Sequence, residues 1–395
     1  MDESKHKQRD AESREATADG RTRQLRVALA CPGVGLEQRG FERMFYDIFQ
    51  LVADEIDITI YKGGGVTNTR EIVLKFANRN GWFAKYVPLH KLVGRTPIHL
   101  ECLTFCMALL YAIRKRHYDV VHVIDPPLAR LLYYFRNRFK LKFRIMYTEG
   151  CNMPPERYPP FDHLQQVSQV ILQGAVEHGW PADHMTLLPV GFYPERFEVA
   201  ETRSALRRKH KIDEETFVVL SIAAINRNHK RIDYLAREIA GLKGDVLLWL
   251  DGSLDQGDRD LVEYVRRQLG DRCRITHVPS AEVGELLKLA DLFVHTAISE
   301  SFGIAIVEAA SSGLPLLVHN APHFQWLIPN SACWVDMRTE NALAERLGEI
   351  LRNRDELAML TEAEKTRERF SWHRLKADYL SLYRKVARLP VSCRD

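Results

Sequence analysis

Apolar residues along the chain fall into two alternating periods. Short runs rich in branched and aromatic side chains read as buried strands: Leu25 to Ala30, Ile56 to Tyr61, Tyr118 to Ile124 and Phe143 to Tyr147, then Phe217 to Ala224, Val246 to Leu250, Cys273 to Val278, Leu292 to Ala297 and Leu316 to Val318. Stretches of helical period lie between them, such as Phe41, Met44, Phe45, Ile48 and Leu51. Strands that alternate with helices predict an α/β architecture of open, doubly wound parallel sheets. With 395 residues the chain is long enough for two such domains, each with its own core. The proline- and glycine-rich stretch Leu187 to Phe197 marks the boundary between them. Residues 1–24 carry almost no large apolar side chains and are expected to form a disordered tail.

The stretch from Leu292 to Val318 concentrates the chemistry. A strand leads into the polar loop Ser299-Glu300-Ser301, a helical pattern runs on to Ala310, Gly313 suits a left-handed cap, and a strand resumes at Leu316. Ligands of parallel sheets sit at the carboxyl ends of the strands, where helix N-termini offer N–H groups and positive dipole. Phe302-Gly303-Ile304 would place such amides beside a diphosphate, with Glu300 and Glu308 on either side to receive sugar hydroxyls. The plainer reading is an exposed loop glutamate and a solvated helix glutamate.

The run Glu300-Ser301-Phe302-Gly303-Ile304-Ala305-Ile306-Val307-Glu308-Ala309, followed by Gly313-Leu314-Pro315, resembles the Glu-x7-Glu motif of retaining GT-B glycosyltransferases. The match is to family 4 and its relatives, which use nucleotide-diphosphate sugars. The resemblance runs from about Val27 to Tyr383 and implies a GT-B fold, two Rossmann-like domains facing across a cleft. It implies an N-terminal, acceptor-side domain over residues 25–190 and a nucleotide-sugar-binding domain over residues 191–369. The segment 370–395, with Phe370-Ser371-Trp372-His373-Arg374, resembles the last helix of the family, which crosses back to the first domain.

Further roles follow from the resemblance position by position. Lys230, in Asn226-Arg227-Asn228-His229-Lys230-Arg231, falls on the family's diphosphate-binding lysine. The family's arginine position holds an apolar residue, so Arg227 is its expected substitute. Gly33 and Gly35 resemble the N-terminal glycine loop that faces the donor, although Gly-x-Gly also suits a plain turn. His277-Val278-Pro279 resembles the nucleobase-contacting turn, with Val278 at its centre. Tyr118 to Pro126 resembles Asp-Val-Val-His-x-His-x-Pro, with His122 at the first histidine and Ile124 in place of the second. His122 is therefore either catalytic or a satisfied core histidine. Asp125 and Glu149, at strand ends, are the expected acceptor-side carboxylates.

The reaction expected from the resemblance is transfer of a hexose from a UDP- or GDP-sugar to an acceptor hydroxyl, with retention. Catalysis would rest on Glu300, Lys230, Arg227 and His122. Donor binding would involve Glu308, Ser301, Phe302, Gly303, Ile304, Gly33, Gly35 and Val278. Neither a metal nor a tightly bound cofactor is implied, and Asp258-Arg259-Asp260 reads as an exposed loop rather than a metal site. The partners would be a nucleotide sugar and a glycan, lipid-linked or small-molecule acceptor. Ile124, the missing arginine and Pro322-His323, where relatives have glycines, leave open a sugar-nucleotide-binding protein with impaired catalysis. An epimerase or a phosphorylase on the same fold is the other alternative.

Composition narrows the setting. A formal charge of +4 does not indicate a nucleic-acid binder. Seven scattered cysteines without a CxxC pair read as reduced thiols of a cytoplasmic protein. The apolar stretch Ile98 to Ile113 is shorter than the roughly 20 residues needed to span a bilayer and reads as a buried helix. The basic and aromatic run Arg130 to Arg144 reads as a helix entering a strand. The alternative for both is peripheral contact with anionic lipid at the cytoplasmic membrane face.

Overall fold

The computed structural model describes residues 14–16, 22–37, 39–79, 81 and 96–391. It divides into two compact units, Met1–Pro189 with Leu375–Asp395, and Val190–Arg374. Within the expected tail, the described residues pair as two short antiparallel strands, β1 (Arg14–Ala16) and β2 (Thr22–Gln24). Residues 1–13 and 17–21 of that tail lie outside the described residues.

The first unit is built on seven parallel strands: β3 (Arg26–Cys31), β4 (Asp57–Lys62), β5 (Glu71–Val73), β6 (Val120–Val123), β7 (Arg144–Glu149), β8 (His163–Gln166) and β9 (Met185–Leu187). Their order is β5-β4-β3-β6-β7-β8-β9. The chain winds outward from β3 to β5 and then returns beside β3, so its switch point lies between β3 and β6. Val121, Val123, Ile145, Tyr147 and Leu164 pack on one face against the helices Pro97–Ile113 and Pro126–Arg138. Cys102 and Cys106 are fully buried on that helical face, and Arg136 of the basic run is also internal, paired with Asp162. No helix among the described residues is long and apolar enough to cross a membrane.

The final helix, Trp372–Arg388, covers the opposite face of the first sheet. Tyr379 Oη donates to Pro189 O at 3.1 Å, Gln165 Nε2 donates to Tyr379 Oη at 2.7 Å, and Lys376 pairs with Asp54 at 2.8 Å. Its first turn belongs to the second unit. There Trp372 N donates to Phe192 O at 2.9 Å, and the indole leaves no room for a Cβ on Gly191, which would sit 2.4 Å from the ring.

The second unit carries six parallel strands: β10 (Phe217–Ile222), β11 (Val246–Asp251), β12 (Cys273–Thr276), β13 (Leu292–His295), β14 (Leu316–His319) and β15 (Trp334–Val335). Their order is β12-β11-β10-β13-β14-β15, and the switch point falls between β10 and β13. Val219, Leu220, Leu292 and Phe293 across that junction are fully buried, as expected of strands covered on both faces. The loops leaving the two switch-point strands are Ala223–Arg231 and Thr296–Gly303. Strand order, rather than proximity in sequence, brings Lys230 and Glu300 to one place.

Candidate active site

Lys230 is held by its own loop. The Asn226 side-chain oxygen accepts from His229 N at 3.1 Å and Lys230 N at 2.7 Å, an Asx turn that folds the loop back. Asn226 Nδ2 donates to Asp255 at 2.7 Å. Arg231 then takes a left-handed conformation at φ 54° and starts the helix Ile232–Ala240. From the neighbouring strand end, Thr296 Oγ1 donates to Lys230 O at 2.7 Å, tying the two loops together.

The Lys230 ammonium donates to Glu300 Oε1. His295, the last residue of β13, places Nε2 at 2.7 Å from the same oxygen. His229 Nε2 lies 3.8 Å from Glu300 Oε2 and 3.0 Å from Ser299 O. Glu300 is 7% exposed, so the plain reading of a solvated loop carboxylate does not hold. Burial alone would raise its pKa. The His295 hydrogen bond and the Lys230 charge outweigh burial and hold the carboxyl well below its usual range. His295 is itself pushed down by burial, with Glu300 opposing. The cluster is therefore a carboxylate, an ammonium and a neutral imidazole.

Gly303 stands at φ 96° and caps the helix Ile304–Ser311, which ends one residue beyond the expected Ala310 and before Gly313 at φ 80°. A Cβ at Gly303 would be both in the left-handed region and 2.9 Å from Ile306. Ile306 N and Val307 N donate to Gly303 O at 3.0 and 3.3 Å, and the preceding amides of Ile304 and Ala305 have no acceptor four residues back within the helix, which makes the loop a place for an anion. Phe302 is buried against Phe370 and Trp326 and fixes the loop from below, while Ser301 and Ile304 are half-buried. His323, from the helix Pro322–Leu327, donates through Nε2 to Phe302 O at 2.9 Å. Glu308 is buried on the helix at 5% exposure, again against the solvated reading.

Two further candidates of the second unit have internal partners. Arg227 is engaged by Asp258 at 3.1 Å and by both oxygens of Asp260 at 3.0 and 2.8 Å. The Asp-x-Asp expected to be an exposed loop is thus the clamp on that arginine, with Asp258 itself largely covered. Val278 N donates to Asp251 Oδ1 at 2.9 Å, which fixes the turn after β12 to the end of β11. A surface cleft of ≈ 290 Å³ lined by Pro194, Phe197, Gly284, Lys288 and Arg367 contains none of these residues.

In the first unit, His122 lies in the core, fully buried. Its Nδ1 is 2.9 Å from Tyr383 Oη and its Nε2 is 2.6 Å from Thr148 Oγ1. Burial lowers its pKa to about 3, so the imidazole is neutral and ties the final helix to β6. Gly35, at φ 81°, and Gly33 pack against the Gly63–Gly65 turn and Glu42. A Cβ on Gly35 would sit 2.3 Å from Gly64 O.

At the carboxyl ends of β6, β7 and β8, Asp125, Glu149 and Gln166 follow one another across the sheet. Glu149 is in register with Gln166, and Val123 and Tyr147 form the pair behind. Asp125 Oδ2, Glu149 Oε2, Gln166 Oε1 and Tyr147 Oη are all buried without a hydrogen-bond partner among the described residues. Glu149 Oε1 accepts from Cys151 N at 2.8 Å and Met153 N at 3.1 Å. Burial, with Glu42 nearby, raises Asp125 to about 6, and burial also raises Glu149.

The sequence reading missed His295, Thr296, Asn226 and His323. Polar residues ending otherwise apolar strands were the available signal for His295 and Thr296. Nothing local distinguished Asn226, and Pro322-His323 stood out only as a departure from the glycines of relatives.

Residues 202–367 match the family described as glycosyl transferases group 1. The chain is 28% identical over 177 residues to lipopolysaccharide glucosyltransferase WaaG of Escherichia coli K12, covering 43% of this chain and 46% of that protein. It is 23% identical over 239 residues to alpha-galactosylglucosyldiacylglycerol synthase of Streptococcus pneumoniae, covering 59% and 63%. The chain spans about half the length of the curated relatives it matches. Among solved structures, sucrose-phosphate synthase from Thermosynechococcus elongatus aligns with TM-score 0.75 at 17% identity, over 92% of this chain and 99% of that one. Anabaena HepE, solved in complex with UDP and glucose, aligns with TM-score 0.72 at 15% identity, over 91% and 99%.

Proposed function

We propose that this chain, a GT-B protein whose residues 202–367 belong to the glycosyl transferases group 1 family, transfers a hexose from a nucleotide-diphosphate sugar to an acceptor hydroxyl with retention. The observation that carries the reading is the Lys230–Glu300 pair at the switch point of the second sheet, beside the helix start at Gly303. A cation and free amides there suit a diphosphate, and a buried, ionised carboxylate suits sugar hydroxyls.

The chemical demand is charge on the departing diphosphate. Lys230 and the first-turn amides supply donors aimed at that charge, in a place where burial strengthens them. Glu300 accepts from the sugar hydroxyls and sets the donor's orientation, while Glu308 holds the ribose or the sugar edge. The departing phosphate takes the acceptor's proton, so no residue of the chain acts as nucleophile. The row Asp125, Glu149 and Gln166 in the first unit is rich in acceptors and suits the hydroxyls of a glycan, lipid-linked or small-molecule acceptor. His122 keeps a packing role.

Arg227, tied to Asp258 and Asp260, favours a second reading, a sugar-nucleotide-binding protein with weak transfer. Peripheral membrane contact rests on the exposed Met107, Tyr111, Tyr134 and Phe139 near basic side chains, and is tested by co-sedimentation with anionic vesicles.

The deciding experiment is hydrolysis of UDP- and GDP-sugars without acceptor. Turnover by the wild type and its loss in Glu300→Ala support transfer. Binding without turnover supports the second reading, and unchanged turnover in Glu300→Ala overturns the first.

A further inference from the structure

We propose that His295 is the second tether of Glu300, holding the carboxylate in place when Lys230 leaves it for the donor's diphosphate. The inference rests on the transferase reading above and assigns a positioning role that the reading does not require.

Lys230 cannot serve both partners fully. Its ammonium lies on Glu300 Oε1. A diphosphate arriving at the Gly303 helix start carries more charge than a carboxylate and competes for the same ammonium. Glu300 would then lose its nearest cation while only 6% of its side chain is exposed. A buried carboxylate stripped of its partner either turns toward water or takes up a proton, and either change spoils its contact with the sugar.

His295 meets this demand by its position. It is the last residue of β13, so its backbone is fixed by pairing with β14 rather than by a loop. Its ring stacks with Phe293, with centroids 6.4 Å apart, and lies against Phe324. Nε2 sits 2.7 Å from Glu300 Oε1, and because a carboxylate only accepts, Nε2 carries the proton. Nδ1 is then bare. It is buried and has no hydrogen-bond partner among the described residues. The donor to Glu300 is thus a single fixed N–H that does not depend on Lys230.

Burial keeps it neutral, and Lys230 and His229, which approach from the loop after β10, act in the same direction, while Glu300 opposes. His323, from the helix Pro322–Leu327, is itself held down by burial. The N–H therefore stays available across neutral pH without adding a cation that would itself attract the diphosphate.

This makes Glu300 and the diphosphate rivals for Lys230, with His295 setting how firmly Glu300 competes. Removing the imidazole donor leaves Glu300 dependent on Lys230 and tightens that pair. UDP affinity should then fall. Removing the carboxylate charge frees Lys230 and should raise UDP affinity. The effect of His295 on UDP should vanish once Glu300 is neutral, because its only route to the ligand is through that carboxylate.

The experiment is a double-mutant cycle read by calorimetric titration with UDP. We expect His295→Phe to weaken UDP binding about tenfold, the lower end for residues that orient a functional ligand. Glu300→Gln should strengthen binding, and His295→Phe in the Glu300→Gln background should bind as Glu300→Gln alone. His295→Gln, which restores an N–H donor, should return toward wild-type affinity. Equal losses in both backgrounds, or no loss in either, overturn the inference while leaving the transferase reading intact. A folded wild type that binds neither UDP, GDP nor their sugars overturns the transferase reading and the inference together.

Discussion

Replacing His122 by asparagine tests whether this histidine holds the fold or performs chemistry. Its imidazole is fully buried, bonded to Tyr383 and Thr148, and burial lowers its pKa to about 3 from an ordinary value near 6.5. Between those values the unfolded chain binds a proton that the native chain does not, so stability falls as pH falls through this window. At pH 5, about 1.5 units below the unfolded value, the loss due to this one residue is about 2 kcal/mol relative to neutral pH. His163, lowered to about 4 by burial, acts in the same direction, so the informative quantity is the difference between wild type and variant. His122→Asn should cost about 1–3 kcal/mol at pH 7 through the two broken hydrogen bonds. Its further loss on going from pH 7 to pH 5 should be smaller than the wild type's by about 2 kcal/mol. Guanidinium unfolding followed by circular dichroism at both pH values measures this. The same pH slope in both proteins would refute the argument, as would a folded variant that has lost turnover a hundredfold at pH 7.

Lys230→Ala should lower nucleotide-sugar hydrolysis by about 10² or more, the scale of a single donor to developing charge. Arg227→Ala should change it by only a few fold, because Asp258 and Asp260 already occupy the guanidinium; steady-state kinetics on the two variants decides between them. Gly191→Ala should destabilise the protein by about 1–3 kcal/mol, since the new methyl would overlap the Trp372 indole, and thermal unfolding would show it. Glu300 should show no titration in the pH–rate profile between pH 5 and 8, because its carboxyl is held well below the usual range, and an inflection there that Glu300→Gln removes would contradict this.

The succession of central strands was legible because strands such as β3, β10, β11, β13 and β14 are buried on both faces and almost wholly apolar, whereas the half-exposed β5 and the buried but polar β8 carry no such pattern. The Glu300–Glu308 stretch was legible as a strand, a loop and a helix for the same reason. Exposure was not legible. Glu300 and Asp258 are charged and short-range rules place charge outside, yet Lys230 and Arg227, distant in sequence, make room for them within the fold. Arg227 illustrates the converse. Its charge and its place suggested a phosphate ligand, but the carboxylates that claim it lie 31 and 33 residues away.

By itself the sequence determined two parallel-sheet units, because local periodicity and turn residues suffice for these. The tertiary structure alone decided which loops meet. The sheet order puts β10 beside β13 although 69 residues separate Ile222 from Leu292, so Lys230, His295 and Glu300 form one cluster. It also decided that His122 is a core anchor, because its partners Thr148 and Tyr383 reach it only when β7 and the final helix pack on either side of it. Pairings across such distances depend on strand order and packing, which no local pattern of residues encodes.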